Sequence, residues 1–137
     1  MFYLWNIEVF FKILKSGCEV EELQLQTLDR LKPCLALYII ITWRILSMTM
    51  LGRSCPDMPC TAVFDDEEWH AVYRVVHRSP PPEIPPNLNA MIRMVASLGG
   101  FLNRKGDGHP GAQTIWIGLQ RTKDFVIAME ALDASRR

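Results

Sequence analysis

A long apolar run, CLALYIIITWRILSMTML at residues 34–51, constrains the fold of this chain more than any other segment. Its 18 residues are near the lower limit for a membrane-spanning helix, and Arg44 lies in its second half, where a charge is costly in a bilayer. A helix buried in a protein core or interface has the same composition without that cost. We therefore expect a core or interface helix, and a small membrane-associated protein is the remote alternative.

Capping and helix-breaking residues divide the sequence into helices. Thr27, Asp65 and Asn87 are each placed to cap a helix N-terminus, and Glu68 completes a capping box with Asp65. Pro33 predicts a kink or a restart in the second helix, and Gly52 is predicted to end that helix. No convincing strand pair is present, so the chain is predicted to be all-α. The predicted helices span residues 3–15, 27–51, 65–78, 88–98 and 114–132.

The segment SPPPEIPPN, residues 79–87, contains five prolines in nine residues. Proline lacks a backbone N–H and fixes φ, so this segment is predicted to be a stiff, extended connector. It is the clearest internal boundary of the sequence.

The charge balance excludes a strongly basic nucleic-acid-binding protein. Fifteen acidic and fifteen basic side chains cancel, so DNA binding requires a local cluster of cations. Binding through such a cluster alone would be nonspecific and lost steeply with salt. The candidate cations are Lys12, Lys15, Arg30 and Lys32.

The four cysteines are too few and too scattered for a disulfide scaffold, and charges interrupt the apolar start where a signal peptide needs a continuous core. A cytoplasmic, reducing location is therefore expected. Cys55, Cys60, His70 and His77 resemble a zinc ligand set only loosely, because six residues separate the two histidines. The sequence therefore predicts no zinc site.

The first predicted helix places Glu8, Lys12 and Lys15 on one narrow face. An ordinary solvated face has the same pattern, with an i, i+4 ion pair between Glu8 and Lys12 worth roughly a few tenths of a kcal/mol. Spacing alone favours this structural role over a catalytic one.

The last predicted helix carries a continuous stripe at alternating spacings of four and three residues. Such a stripe needs a partner surface, which is either a second subunit or the core of the domain itself. The sequence leaves both possibilities open, and both hold if different flanks are used. The candidate dimer interface consists of Ile115, Leu119, Thr122, Val126 and Met129.

Residues 5–17, WNIEVFFKILKSG, resemble the signature around the last catalytic glutamate of bacterial cut-and-paste transposases of the Tn5 type, members of the DDE group. That signature reads Tyr, two residues, Arg, three residues, Glu, six residues, Lys. Glu8 and Lys15 match its last two positions, whereas Leu4 and Met1 stand in place of the Arg and the Tyr. Later segments resemble the C-terminal part of such transposases in the same order: LALYIIITWRIL, CPDMPC, DDEEWHAVYRVV, PPNLNAMIRMVASLGGFLNRKGDG and TIWIGLQRTKDF.

The resemblance implies a role for the residues of the first helix. In the family, two aspartates and one glutamate hold two divalent metal ions, magnesium or manganese, on a ribonuclease-H-like sheet, and these activate water or a 3′ hydroxyl. Glu8 would be the third catalytic carboxylate and a metal ligand. Lys15, and less directly Lys12, would contact phosphates of transposon-end DNA. Both aspartates would lie upstream of Met1, so we expect Glu8 to be vestigial and no metal cofactor to bind the chain alone.

The resemblance also divides the chain into parts. Residues 1–26 would be a remnant of the catalytic core, 27–78 a helical region, 79–86 the Pro-rich connector and 87–137 a C-terminal helical dimerisation region. The expected protein is a truncated transposase that is inactive alone and pairs with a transposase subunit, not with a membrane. The alternative is a regulatory, dominant-negative partner of an intact transposase.

Separation from the catalytic sheet would leave part of the first helix uncovered. Phe10, Phe11, Ile13 and Leu14 would lose the surface that normally covers them. We therefore expect residues 1–26 to be poorly packed or prone to aggregation.

Overall fold

The computed structural model describes residues 2–17 and 27–137, with side chains from residue 6 onward in the first range. Within these ranges the chain forms five α-helices and no β-strand, which confirms the predicted all-α class. A π-helical turn, Ile13–Gly17, continues the first helix, and a 3₁₀ turn, Cys60–Ala62, precedes the third. The helices are α1 (Phe2–Lys12), α2 (Leu28–Ser54), α3 (Asp66–His77), α4 (Leu88–Leu98) and α5 (Ala112–Ser135).

The capping residues of α3 and α4 act as the sequence predicts. Asp65 and Glu68 form a capping box, in which the Asp65 backbone N–H donates to Glu68 Oε2 at 3.1 Å. Asn87 Oδ1 accepts a hydrogen bond of 2.8 Å from the Ala90 backbone N–H. Each cap satisfies N–H groups that have no partner within the helix, which fixes where these helices begin.

The end of α2 differs from the predicted one. The helix passes through Pro33 without restarting and continues beyond Gly52 to Ser54. Gly52 is buried where α4 packs against α2, and a Cβ at this position would meet Ile92 Cδ1 at 2.7 Å. This glycine therefore serves close helix packing and does not form a left-handed C-cap.

The core is built around α4. α5 crosses α4 closely, because Gly118 faces the backbone carbonyl of Val95 with no room for a Cβ between them. The buried residues of α4 are Leu88, Met91, Ile92, Met94, Val95 and Ala96. α2 and α3 add Ile45, Met48, Trp69 and Val72 to the same buried cluster.

The Pro-rich connector joins parts of one core. It returns along the loop after α2, where the Cys60 N–H donates to the Pro86 carbonyl at 3.0 Å and the Leu88 N–H donates to the Met58 carbonyl at 2.7 Å. Helices on both sides of the connector contribute to one buried cluster. The connector therefore does not separate two independently packed units.

The expectation that the first helix lacks cover is wrong at its C-terminal end. Ile13 and Leu14 are buried, and the π-helical turn that carries them contacts α2 and α5. These two helices supply an apolar surface that the sequence analysis did not foresee. Ile7 and Phe11 stay about half exposed. The predicted connector at residues 18–26 lies outside the described residues.

Candidate association surface

The N-terminal part of the stripe on α5 is buried in the core of the chain. Ile115 and Thr122 have 0% and 1% of their surface exposed, so both lie in the core of the chain itself. The Thr122 hydroxyl donates a hydrogen bond of 2.8 Å to the Gly118 carbonyl, which satisfies this buried polar group within the helix. The sequence left open whether the stripe faces a second subunit or the core of the domain itself. Ile115 and Thr122 face the core.

The other three residues of the stripe, Leu119, Val126 and Met129, are half-buried. Leu119 packs against the core cluster. Val126 and Met129 line a shallow groove between α5 and α3, together with Glu67, His70, Ala71 and Arg74. The three residues retain exposed surface, so their place in a dimer stays a prediction.

Two further apolar side chains of α5, Ile127 and Leu132, are more than half exposed. No residue of α5 beyond Thr122 is buried, so the distal half of the helix leaves the core. The sequence analysis missed Ile127 and Leu132 because they fall between the positions of the stripe. Val126, Ile127, Met129 and Leu132 spread over about 220° of the helix circumference at 100° per residue, and Ile127 lines a separate groove from Val126 and Met129. We call these four residues together the distal α5 surface.

A second exposed apolar surface lies on α2. Ile40 and Trp43 are exposed by 65% and 63%, and Ile39 and Met50 are exposed beside them. At 100° per residue these four side chains share one side of the helix, opposite the buried Ile45. The sequence analysis missed this side because the apolar run has no periodicity that separates a buried from an exposed side. We call Ile39, Ile40, Trp43 and Met50 the α2 face.

Arg44 interrupts the apolar run and ties α2 to α3. Its Nη2 donates to both carboxylate oxygens of Glu68, at 3.0 and 2.8 Å. Because Glu68 also belongs to the α3 capping box, one carboxylate serves both the helix start and the helix contact. By length and composition alone, α2 could also cross a membrane. Its buried inner side consists of Thr42, Ile45, Leu46, Met48 and Gly52.

The predicted catalytic residue lies on the surface. Glu8 is exposed on α1, and Lys12 and Lys15 are exposed near it. In the described part of the chain, no three His, Cys, Asp or Glu side chains are grouped so that they could hold a metal ion.

Cys60 and His70, two residues of the loose zinc pattern, make packing contacts within the fold. Cys60 is fully buried in the core, and this burial raises the pKa of its thiol to about 11. A neutral buried thiol is neither a reactive nucleophile nor a ready metal ligand. The His70 ring contacts the Trp69 ring, with 4.0 Å between centroids. These contacts assign the two residues to packing.

An open groove of about 780 Å³ lies between α1, the C-terminal half of α2 and the N-terminus of α5. Lys12 from α1 and Arg53 from α2 both line it, which brings together two cations from distant parts of the sequence. Cations on two sides of a groove suit a phosphate group. The sequence analysis missed Arg53 because no spacing rule links it to Lys12.

The chain matches a known protein family. A family model described as the transposase Tn5 dimerisation domain matches residues 40–135. The match is longer than half of the chain, and it covers α3, α4, α5 and the part of α2 that begins at Ile40. No curated protein matches the chain.

Proposed function

The chain belongs to the family of the Tn5 transposase dimerisation domain, and we propose that it is a helical association module of a cut-and-paste DNA transposition system. The observation that carries this proposal is the extent of the family match, residues 40–135. Helices throughout this range contribute to one buried cluster, so the matched segment is a packed unit. In this proposal the unit brings two transposase subunits together.

In this proposal the chain does not cleave or join DNA alone. A two-metal site needs several oxygen ligands held in place, and Glu8 would supply one of them. Glu8 is then vestigial. Magnesium or manganese would bind in an intact DDE transposase, where two aspartates complete the ligand set.

We place the subunit contact on the distal α5 surface. Val126, Ile127, Met129 and Leu132 combine half-buried and exposed apolar side chains on a helical segment that leaves the core. Pairing would remove this apolar area from water, which is favourable by about 25 cal/mol per Å². Leu119 would lie at the edge of the contact, next to the core.

Two differently tagged copies of the chain, expressed in the same cells, test the proposal. Capture of one tag is expected to retain the other copy. The double variant Ile127→Glu, Leu132→Glu places two charges on the distal α5 surface and is expected to reduce the retained fraction at least tenfold. Ser79→Glu, which adds a charge at an exposed connector position, is the matched control and is expected to behave as wild type. If capture of one wild-type copy does not retain the wild-type copy that carries the other tag, the proposal is contradicted.

DNA contact is a separate part of the proposal. Lys12 and Lys15 would contact phosphates of transposon-end DNA in an intact transposase, and Arg53 shares a groove with Lys12. Because the net charge of the chain is zero, we expect the chain alone to bind DNA weakly, nonspecifically and with a steep loss on adding salt. Sequence-specific binding that persists at high salt would contradict this expectation.

A regulatory role is the alternative that the family match also supports. A chain that associates through this surface and does not cleave DNA itself would pair with an intact transposase and inhibit it. Co-expression with an intact relative is then expected to lower the transposition frequency. An unchanged frequency at a high level of the chain would rule this alternative out.

The cell compartment is also part of the proposal. An association module of a DNA transposase is expected in the cytoplasm, with its partner and its DNA. Cell fractionation measures this directly. Recovery of the chain in the membrane pellet, resistant to high salt, would instead favour the membrane-associated alternative that the composition of α2 allows.

A further inference from the structure

The groove between α1, the C-terminal half of α2 and the start of α5 has the lining of a small-molecule site. Its volume of about 780 Å³ falls within the range of roughly 300–1,000 Å³ that is usual for ligand sites in proteins. Apolar side chains from all three helices form much of the lining, among them Val9, Leu46 and Ala112. Such a lining suits the apolar body of a small organic molecule better than the hydrated backbone of DNA.

The charge in this groove is all of one sign. Lys12 and Arg53 line it, and no aspartate or glutamate of the described residues does. Within the same described ranges neither cation has a carboxylate partner, whereas Arg44 on α2 is paired with Glu68. Two positive charges on the walls of one groove repel each other, and an anion bound there is attracted by both.

Three hydroxyl groups in the lining can accept hydrogen bonds from a ligand. Ser16, Thr49 and Ser54 each donate the hydroxyl hydrogen to the backbone carbonyl four residues earlier, at 2.7, 2.8 and 2.9 Å. Each oxygen keeps lone pairs that can accept. A ligand that carries a hydroxyl or amino group besides its anionic group would therefore find acceptors in the same groove.

We propose that this groove binds a small organic anion, with the negative group at Lys12 and Arg53 and an apolar body against the lining. The proposal goes beyond the association function, since it needs neither a second copy of the chain nor DNA. α1 lies outside the range that matches the dimerisation-domain family, whereas Arg53 and Ala112 lie inside it. A bound anion would therefore tie α1 to the matched unit.

Two fluorescent probes with the same aromatic body test this proposal. Anilinonaphthalene sulfonate carries one negative charge, and phenylnaphthylamine has the same rings without the sulfonate. The chain is expected to bind the sulfonate probe at one saturable site, measured by fluorescence titration. The double variant Lys12→Gln, Arg53→Gln is expected to raise the dissociation constant of the sulfonate probe at least tenfold and to leave that of the uncharged probe unchanged, because only the sulfonate interacts with the cations.

A matched control removes two cations elsewhere. Arg104→Gln, Lys105→Gln changes the net charge equally at exposed positions of the loop before α5 and is expected to bind the sulfonate probe as the wild type does. The exchange Lys12→Arg, Arg53→Lys keeps both charges in the groove and is expected to stay within threefold of the wild type. All four positions are exposed, so the helix content of every variant, measured by circular dichroism, is expected to be unchanged.

Four results would overturn the proposal. The first is the absence of saturable binding of the sulfonate probe, and the second is an equal loss of binding in the loop variant and the groove variant. The third is a loss of binding on Trp43→Glu, which would assign the probe to the α2 face. The fourth is displacement of the probe by a short DNA duplex at a lower phosphate concentration than by naphthyl phosphate, which would assign the cations to DNA.

This proposal and the association function fail separately. Probe binding is measured on the chain whether it is a monomer or a dimer, and the groove variants leave the distal α5 surface unchanged. A dimer without probe binding overturns the groove proposal alone. A monomer that binds the sulfonate probe through Lys12 and Arg53 overturns the association function alone.

Discussion

Gly118 shows at the scale of one residue how closely the two central helices pack. A Cβ at this position would overlap the backbone carbonyl of Val95, which cannot move without shifting α4. We expect Gly118→Ala to lower the free energy of unfolding by about 3 kcal/mol, because overpacking against a backbone outweighs the better helix propensity of alanine. Urea denaturation followed by circular dichroism measures this change.

Gly52 provides the matched comparison, since it is also a helical glycine in a packed position. Its added Cβ would meet only Cδ1 of Ile92, the flexible end of a side chain. We therefore expect Gly52→Ala to cost less than about 1 kcal/mol. A loss at Gly118 no larger than the loss at Gly52 would contradict the close crossing of α4 and α5.

Because the Cys60 thiol is buried, the chain is expected to become less stable as the pH rises above 9. Burial raises the pKa of its thiol from 9.0 to about 11, so the folded state holds this proton over a range in which the unfolded state has released it. The resulting stabilisation is fully present below pH 9 and is lost as the pH rises toward 11, by an amount on the order of 2 kcal/mol. Urea denaturation at a series of pH values measures it.

Cys60→Ala is the control for this pH dependence. The variant loses some packing at all pH values, but its free energy of unfolding is expected to fall less steeply than that of the wild type between pH 9 and 11. Parallel pH profiles for the two proteins would contradict the account.

Which single residues could be predicted from the sequence depends on the range of their interactions. Asp65 and Asn87 were predicted as caps because their partners lie three residues away. Gly52 was misread as a helix terminator because its role depends on Ile92, far along the chain. The partner of Arg44 was equally hidden, because Glu68 already had a local role in the capping box.

At the scale of an element, α4 depends on its N-cap. Asn87 Oδ1 accepts from the Ala90 backbone N–H at 2.8 Å, and α4 carries the central residues of the core. We expect Asn87→Ala to lower the free energy of unfolding by about 1 kcal/mol, because the N–H loses its acceptor. Asn87→Asp keeps the acceptor and is expected to stay within about 0.5 kcal/mol of the wild type. Equal losses in the two variants, measured by thermal unfolding, would show that the cap contributes nothing.

The existence of the helices could be predicted, but the sides they bury could not. Periodicity predicted the stripe on α5, and it cannot say whether a stripe faces the core or a second chain. Ile115 and Thr122 face the core because α4 lies against this part of the helix. α2 has no such periodicity, since its run is apolar on every side. Which side of α2 is exposed depends on where α4 and α5 pack against it, and these contacts are not encoded in the run itself.

At the scale of the whole molecule, the main surprise is that one core spans the Pro-rich connector. Five prolines in nine residues predict a break in secondary structure, and that break is observed. They do not predict how the chain packs on either side, because packing depends on contacts between distant segments. The resemblance of several ordered segments predicted the family, which the match over residues 40–135 confirms at the level of the dimerisation domain.

The mass of the chain in solution tests the central claim most directly. Light scattering behind a sizing column, over a hundredfold range of concentration, measures it without tags or probes. The account predicts a species of twice the 15.7 kDa chain mass that dissociates on dilution. The double variant Ile127→Glu, Leu132→Glu is expected to shift it toward monomer. A mass of 15.7 kDa at every concentration would contradict the assignment of this chain as an association module.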